Sequence, residues 1–211
     1  MKTRILSFLT AFCMTAALLP TAAFAAKAHH FVDVPADSYY YDAAQWAVEK
    51  NITGGTDAEH FSPDADYTRS QLVTFLWRAA GKPVVNYAMR FSDVSADAYD
   101  TEAIRWAASL GIITGYSDGH FGANGSVTRE QMAVMLFRFA KAQGMDTTQG
   151  GMAVREFDDF DQVSAYAGEA MAWAVNAGIL KGSDNRLMPE AACTRAQIVT
   201  MLYRLLEQGR K

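Results

Sequence analysis

Three arginines occupy positions that a helix accepts reluctantly. Arg69, Arg129 and Arg195 fall within Thr68-Arg69-Ser70-Gln71, Thr128-Arg129-Glu130-Gln131 and Thr194-Arg195-Ala196-Gln197. The Thr-x-x-Gln spacing predicts a capping box, with threonine as N-cap and glutamine reaching back from the third helical position. Each arginine then sits first in its helix, where a cation opposes the macrodipole at roughly 0.3–1 kcal/mol. Three such arginines at one register suggest a task that outweighs the penalty. Free backbone N–H groups at a helix start attract an anion, and a guanidinium adds a planar fork matched to a carboxylate or phosphate. Read together, these features describe an anion-recognition corner built three times. A second reading fits the spacing equally well: each arginine pairs with a nearby acid, for example Asp33, Asp93 or Asp159, and only staples the fold.

Other recurring residues can be placed around these corners. Gly55, Gly115 and Gly182 each precede a polar loop, where glycine admits either a close backbone approach or a positive φ angle. Trp46, Trp106 and Trp173 can stack on a sugar ring or fill the core from the apolar face of a short helix. Histidines 29 and 30 lie near the start, and His60 and His120 hold equivalent loop positions whose third counterpart is Arg186, so no metal-ligand spacing appears. Asp57, Asp64 and Asp66 lack the order and glycine of a calcium loop. The single recurring aspartate per unit does not supply the acid–base pair a glycan hydrolase needs. No catalytic residue, metal or cofactor is expected.

These residues recur because the chain repeats itself. Phe31-Val32-Asp33-Val34 returns as Phe91-Ser92-Asp93-Val94 and as Phe157-Asp158-Asp159-Phe160, with a first offset of 60 residues and a second of 66 or 67. The units span 31–82, 91–142 and 155–208. Each reads as helix, loop, helix. The first helix, about Tyr41 to Lys50 in unit one, ends at Asn51, Gly111 or Gly178. The second carries a wide apolar face, with Leu72, Phe75, Leu76 and Ala79 in unit one. A unit of about 55 residues buries too little surface alone, so its neighbours must cover that face. The expectation is an all-α, pseudo-threefold fold: three second helices packed as a central bundle, with the first helices outside.

Composition is globular: 211 residues, 50% hydrophobic and 20% charged, with a net charge of −4. That acidity argues against a nucleic-acid or anionic-membrane binder. Lys2 and Arg4, an apolar run from Ile5 to Pro20, and Ala23-Phe24-Ala25 match a secretory signal peptide over residues 1–25. The uninterrupted apolar core is shorter than the roughly 20 residues of a membrane span. Cleavage leaves 17 basic and 23 acidic groups, a net charge of −6, and a single cysteine, Cys193. One cysteine forms no internal disulfide, so packing alone holds this exported chain together.

The aromatic-x-Asp-Val opening, the Ala-Trp-Ala helix, the Gly111-to-Gly115 turn, the Gly119-to-Phe121 loop and the Thr128-to-Gln131 helix start resemble the S-layer homology domain, in three tandem repeats. The resemblance implies non-covalent attachment to a bacterial cell wall through a secondary cell-wall polysaccharide, often carrying pyruvate ketals, held in grooves between neighbouring repeats. It places the binding arginine at Arg69, Arg129 and Arg195, and the groove glycine and tryptophan at Gly55, Gly115 and Gly182 and at Trp46, Trp106 and Trp173. Glutamine replaces the usual glutamate of Thr-Arg-Ala-Glu in every repeat, Asn51 replaces a turn glycine, and Arg186-Leu187 stands where His120-Phe121 is found. A pyruvate ketal offers a carboxylate on a sugar, the chemistry that an arginine at a helix start can hold. The alternative is a surface-layer assembly protein that associates with like chains, because the third unit reaches almost to Lys211 and no cargo domain is apparent.

Overall fold

The computed structural model describes residues 31–208; the expected signal peptide and the histidines at 29 and 30 lie outside them. Six α-helices carry the fold: α1 Tyr41–Glu49, α2 Arg69–Ala79, α3 Thr101–Ser109, α4 Arg129–Ala142, α5 Gly168–Asn176 and α6 Arg195–Tyr203. Among the described residues there is no named strand, only isolated β-bridges, and no helix is long and apolar enough to cross a membrane. The protein is all-α.

Local chemistry sets the helix ends. Thr68, Thr128 and Thr194 each accept from the backbone N–H of the glutamine three residues on, at 3.2, 3.3 and 3.4 Å. Each glutamine side chain accepts in return from the threonine N–H, completing three capping boxes. The first helices stop as their sequences predict. Asn51, Gly111 and Gly178 adopt φ of 55°, 68° and 67°. The next residues, Ile52, Ile112 and Ile179, donate back to Ala47, Ala107 and Ala174 at 2.8–2.9 Å, which is the Schellman arrangement. The one-residue insertion in the third repeat is absorbed by two short 3-10 turns, Phe160–Gln162 and Ala165–Ala167, before α5 begins.

The principal helix contacts run between repeats: α2 against α3, α4 against α5, and α6 back against α1. Aromatic edges mark two of these seams, Trp46 on Tyr203 at 5.5 Å and Phe137 on Trp173 at 5.3 Å. The tryptophan-bearing first helix of each repeat thus packs on the second helix of the repeat before it, the first repeat taking the third as its predecessor. The segments leading into the second helices are joined through a closed ring of backbone hydrogen bonds. Tyr67 N–H donates to Cys193 O (3.1 Å), Cys193 N–H to Val127 O (2.9 Å), and Val127 N–H to Tyr67 O (2.9 Å).

Candidate functional site

Each arginine lies beside this ring, but the helix amides around it are not free. Arg69 and Ser70 N–H donate to Gly125 O and Ala123 O of the second repeat at 2.9 and 3.1 Å. Arg129 and Glu130 donate to Ala191 O and Pro189 O of the third, and Arg195 and Ala196 to Ala65 O and Pro63 O of the first, at 2.9–3.0 Å. The threonine hydroxyl takes the amide after these. The expectation that open helix-start N–H groups attract an anion is therefore corrected: those donors bind the loop of the adjacent repeat. Only the guanidinium remains for a ligand.

The guanidiniums are nearly enclosed; each arginine is 5% exposed. Arg69 donates from Nε to Phe121 O (3.0 Å) and from Nη1 to Gln131 Oε1 (3.3 Å). Arg129 donates from Nε to Leu187 O (2.6 Å) and from Nη2 to Lys181 O (3.1 Å). Arg195 donates from Nη2 to Thr53 Oγ1, while its buried Nε has no acceptor among the described residues. Rings face two of them: Tyr116 and Phe121 lie 5.0 and 4.9 Å from Arg69, and Phe61 lies 4.9 Å from Arg195. Burial lowers the pKa of all three from the ordinary arginine value.

No carboxylate forms an ion pair with Arg69, Arg129 or Arg195 among the described residues. The alternative in which Asp33, Asp93 and Asp159 neutralise them is not met. Each aspartate instead clamps its own loop through two backbone N–H groups: Asp33 holds Phe61 and Ser62, Asp93 holds Phe121 and Gly122, and Asp159 holds Leu187 and Met188, all at 2.7–2.8 Å. In the second and third repeats the clamp fixes the residue whose carbonyl receives the arginine Nε.

Three clefts open onto the guanidiniums. Arg129 shares a cleft of about 380 Å³ with Lys181, Gly182, Gln197, Arg204 and Tyr39. Arg195 shares one of about 200 Å³ with Thr53, Gly55, Gln71, Arg78 and Tyr99. Arg69 shares one of about 80 Å³ with Ile113, Thr114, Gln131, Arg138 and Tyr166. Every cleft thus takes its helix-start arginine from one repeat, its turn and second helix from the next, and a tyrosine from the remaining one. Among the described residues, no group of three or more His, Cys, Asp or Glu side chains could hold a metal.

The glycines serve close approach. A Cβ on Gly115 would lie 2.6 Å from the Phe91 ring, one on Gly55 2.6 Å from Phe31, and one on Gly182 would strike Phe157. Of the three, only Gly55 adopts a positive φ, 89°. Gly55 and Gly182 line clefts, whereas Gly115 is not among the residues lining its own. Trp46, Trp106 and Trp173 are 7, 3 and 2% exposed and line none of the three arginine clefts. Trp46 Nε1 donates to Glu207 at 2.9 Å, and both line a separate cleft of about 200 Å³ that shares Arg78 with the Arg195 cleft. Their indoles pack the seams between helices, and Trp46 alone of the three also lines clefts, away from the cap-helix arginines.

Sequence reasoning missed two sets of cleft residues. Arg78, Arg138 and Arg204 each lie nine positions after a cap arginine, one repeat on in the ring of clefts, and Arg78 and Arg204 donate to Ile52 O and Ile179 O at 2.8 and 3.1 Å. Tyr39, Tyr99 and Tyr166 are 64, 68 and 58% exposed, a ring surface the tryptophans do not offer. Both recur at the repeat spacing, which was their signal.

The S-layer homology domain model matches residues 30–73, 90–133 and 156–199, more than half of the chain. The chain belongs to the S-layer homology domain family. The match places the three S-layer homology repeats over the starts of the three threonine-capped helices that open on arginine. An endoglucanase of Bacillus sp. (strain KSM-635) is 29% identical over 85% of this chain and 19% of its own length. The S-layer protein sap of Bacillus anthracis is 28% identical over 92% of the chain and 24% of its own. A cellulosome-anchoring protein of Acetivibrio thermocellus is 26% identical over 71% of the chain and 34% of its own. The chain therefore spans about a third or less of each of these longer proteins.

Proposed function

We propose that the chain is a non-covalent cell-wall anchoring module, exported behind a signal peptide, that grips an acidic secondary wall polysaccharide in the clefts between its S-layer homology repeats. The segment it shares with an S-layer protein, a cellulosome-anchoring protein and an endoglucanase is what those proteins have in common, whatever the rest of each does. Anchorage is a role that fits all three.

One observation carries the ligand chemistry: three enclosed guanidiniums, none paired with a carboxylate among the described residues, each at the floor of a cleft. A buried charge is costly unless an opposite charge and hydrogen bonds meet it. Backbone carbonyls meet part of that need. A carboxylate on a saccharide, such as a pyruvate ketal, meets the rest with the fork geometry that arginine favours. Exposed tyrosine rings at the rims suit the apolar face of a sugar.

Purified protein mixed with cell walls should co-sediment with them. Walls stripped of secondary polymer should leave it in the supernatant. Equal sedimentation with stripped walls would overturn the reading in favour of a peptidoglycan or protein partner, including association with like surface-layer chains.

A further inference from the structure

The three clefts are built from equivalent parts but are not equivalent. The difference lies at the second helical position, next to each cap arginine, where the repeats carry Ser70, Glu130 and Ala196. In two repeats this residue reaches the tyrosine that another repeat lends to a cleft. Tyr166 donates from its hydroxyl to Glu130 at 2.6 Å, and Glu130 also accepts from Ser164 N–H and Oγ at 3.0 and 2.9 Å. Tyr99 lies 3.4 Å from Ser70 Oγ. Ala196 offers Tyr39 no polar atom, and the Tyr39 hydroxyl has no hydrogen-bond partner among the described residues.

Cleft size follows the same order. The cleft with Glu130 behind its tyrosine is about 80 Å³, the one with Ser70 about 200 Å³, and the one with Ala196 about 380 Å³. In the smallest, Tyr116 additionally covers Arg69. Glu130 sets a fixed negative charge behind the wall that an incoming carboxylate would face. The largest is lined by three basic residues, Arg129, Lys181 and Arg204, against two arginines in each of the others, and its Tyr39 keeps a donor to give.

We infer that the cleft between the second and third repeats is the principal acid-saccharide site of this chain, with Arg204 and the Tyr39 hydroxyl contacting the ligand beside Arg129, and that Glu130 closes the cleft between the first and second repeats. This rests on the anion-binding reading given under Proposed function. The cleft at Arg195 is the weaker second site.

The test is titration calorimetry of the full mature chain with a methyl hexoside carrying a 4,6-pyruvate ketal, with its methyl ester as control. One dominant site is expected, weakened at least tenfold in Arg129→Ala and several-fold less than that in Arg69→Ala. Ala196→Glu, which copies the Glu130 arrangement, should weaken binding by a similar factor. Tyr39→Phe removes a single oxygen and leaves the core untouched, and it should weaken binding several-fold where Tyr166→Phe does not. Circular dichroism of each variant separates loss of fold from loss of binding. Equal losses across Arg69→Ala, Arg129→Ala and Arg195→Ala, or undiminished binding in both Ala196→Glu and Tyr39→Phe, would overturn this assignment while leaving the anion reading intact. Binding of the ester as tight as that of the acid would overturn both.

Discussion

Arg129 and Asp159 hold opposite sides of the same residue without pairing with each other. Asp159 accepts from the N–H of Leu187 at 2.7 Å, and Arg129 donates to the carbonyl of Leu187 at 2.6 Å. A cation and an anion are both placed at one loop residue, yet both hold its backbone, and the carboxylate takes its ion pair from Arg186 at 3.7 Å rather than from Arg129. The carboxylate is satisfied by this arrangement, whereas the guanidinium keeps a face toward a cleft.

The first prediction separates binding from stability at that guanidinium. Arg129→Met keeps a similar stem but removes a buried charge. Two carbonyls lose a donor, costing about 1–3 kcal/mol, offset in part because replacing a buried charge by an apolar side chain is often neutral. Urea denaturation should show a net change within about 2 kcal/mol, while wall binding falls at least tenfold. Arg129→Lys should leave helix content unchanged and still weaken binding roughly tenfold, because the charge survives and the fork does not.

The aspartate clamps should make the fold acid-sensitive. Burial by itself raises the Asp93 and Asp159 carboxyls, but the backbone N–H groups of Phe121 and Gly122, and of Leu187 and Met188, outweigh it and hold both below the ordinary value. A depressed folded pKa gives stability that is fully present above the unfolded value near 3.9 and lost as pH falls through the folded one. Urea midpoints should be flat from neutral pH down to about 4.5 and fall below about 4. Asp159→Asn should cost about 1–3 kcal/mol at pH 7 and make that fall shallower.

Much of this was legible in the sequence, and the boundary is physical. Capping boxes and Schellman stops are written within six residues, so Thr128-to-Gln131 and Gly111 read correctly. The fate of the helix-start amides was not legible, because their acceptors, such as Gly125 for Arg69, lie in another repeat. The aspartate role was hidden for a similar reason: its partners come 28 and 29 residues later. Repetition marked the tryptophans without telling that their rings are buried, and left the exposed tyrosines unremarked, because it reveals that an aromatic residue recurs, not which way its ring faces. Arg204 went unremarked because it lies past the cap, although its spacing repeats.

Cys193 offers a probe of the backbone ring. It is fully buried, and burial pushes its thiol up to about 12. The folded protein should resist maleimide at pH 7, since the thiolate is the reactive form. Because the hydrogen bonds of Cys193 join the first and second repeats to the third, labelling should rise at the same denaturant concentration as loss of helix signal. An earlier labelling transition would show that the third repeat opens alone.

Gly115 tests the close approach at the turn. A methyl group there meets the Phe91 ring at 2.6 Å and His120 O at 2.7 Å. Gly115→Ala should lower stability by about 1–3 kcal/mol through overpacking, read as a fall in Tm. An unchanged Tm would mean that the loop yields freely.

The most direct test of the central claim combines two alterations in one binding experiment. Sedimentation would be measured for the wild-type chain and for the combined Arg69→Ala, Arg129→Ala, Arg195→Ala variant, on walls with and without their acidic saccharide substituents. If the guanidiniums meet those acids, either change abolishes most of the binding and the second adds almost nothing to the first. Wild-type levels of binding by the triple variant on intact walls would contradict the account.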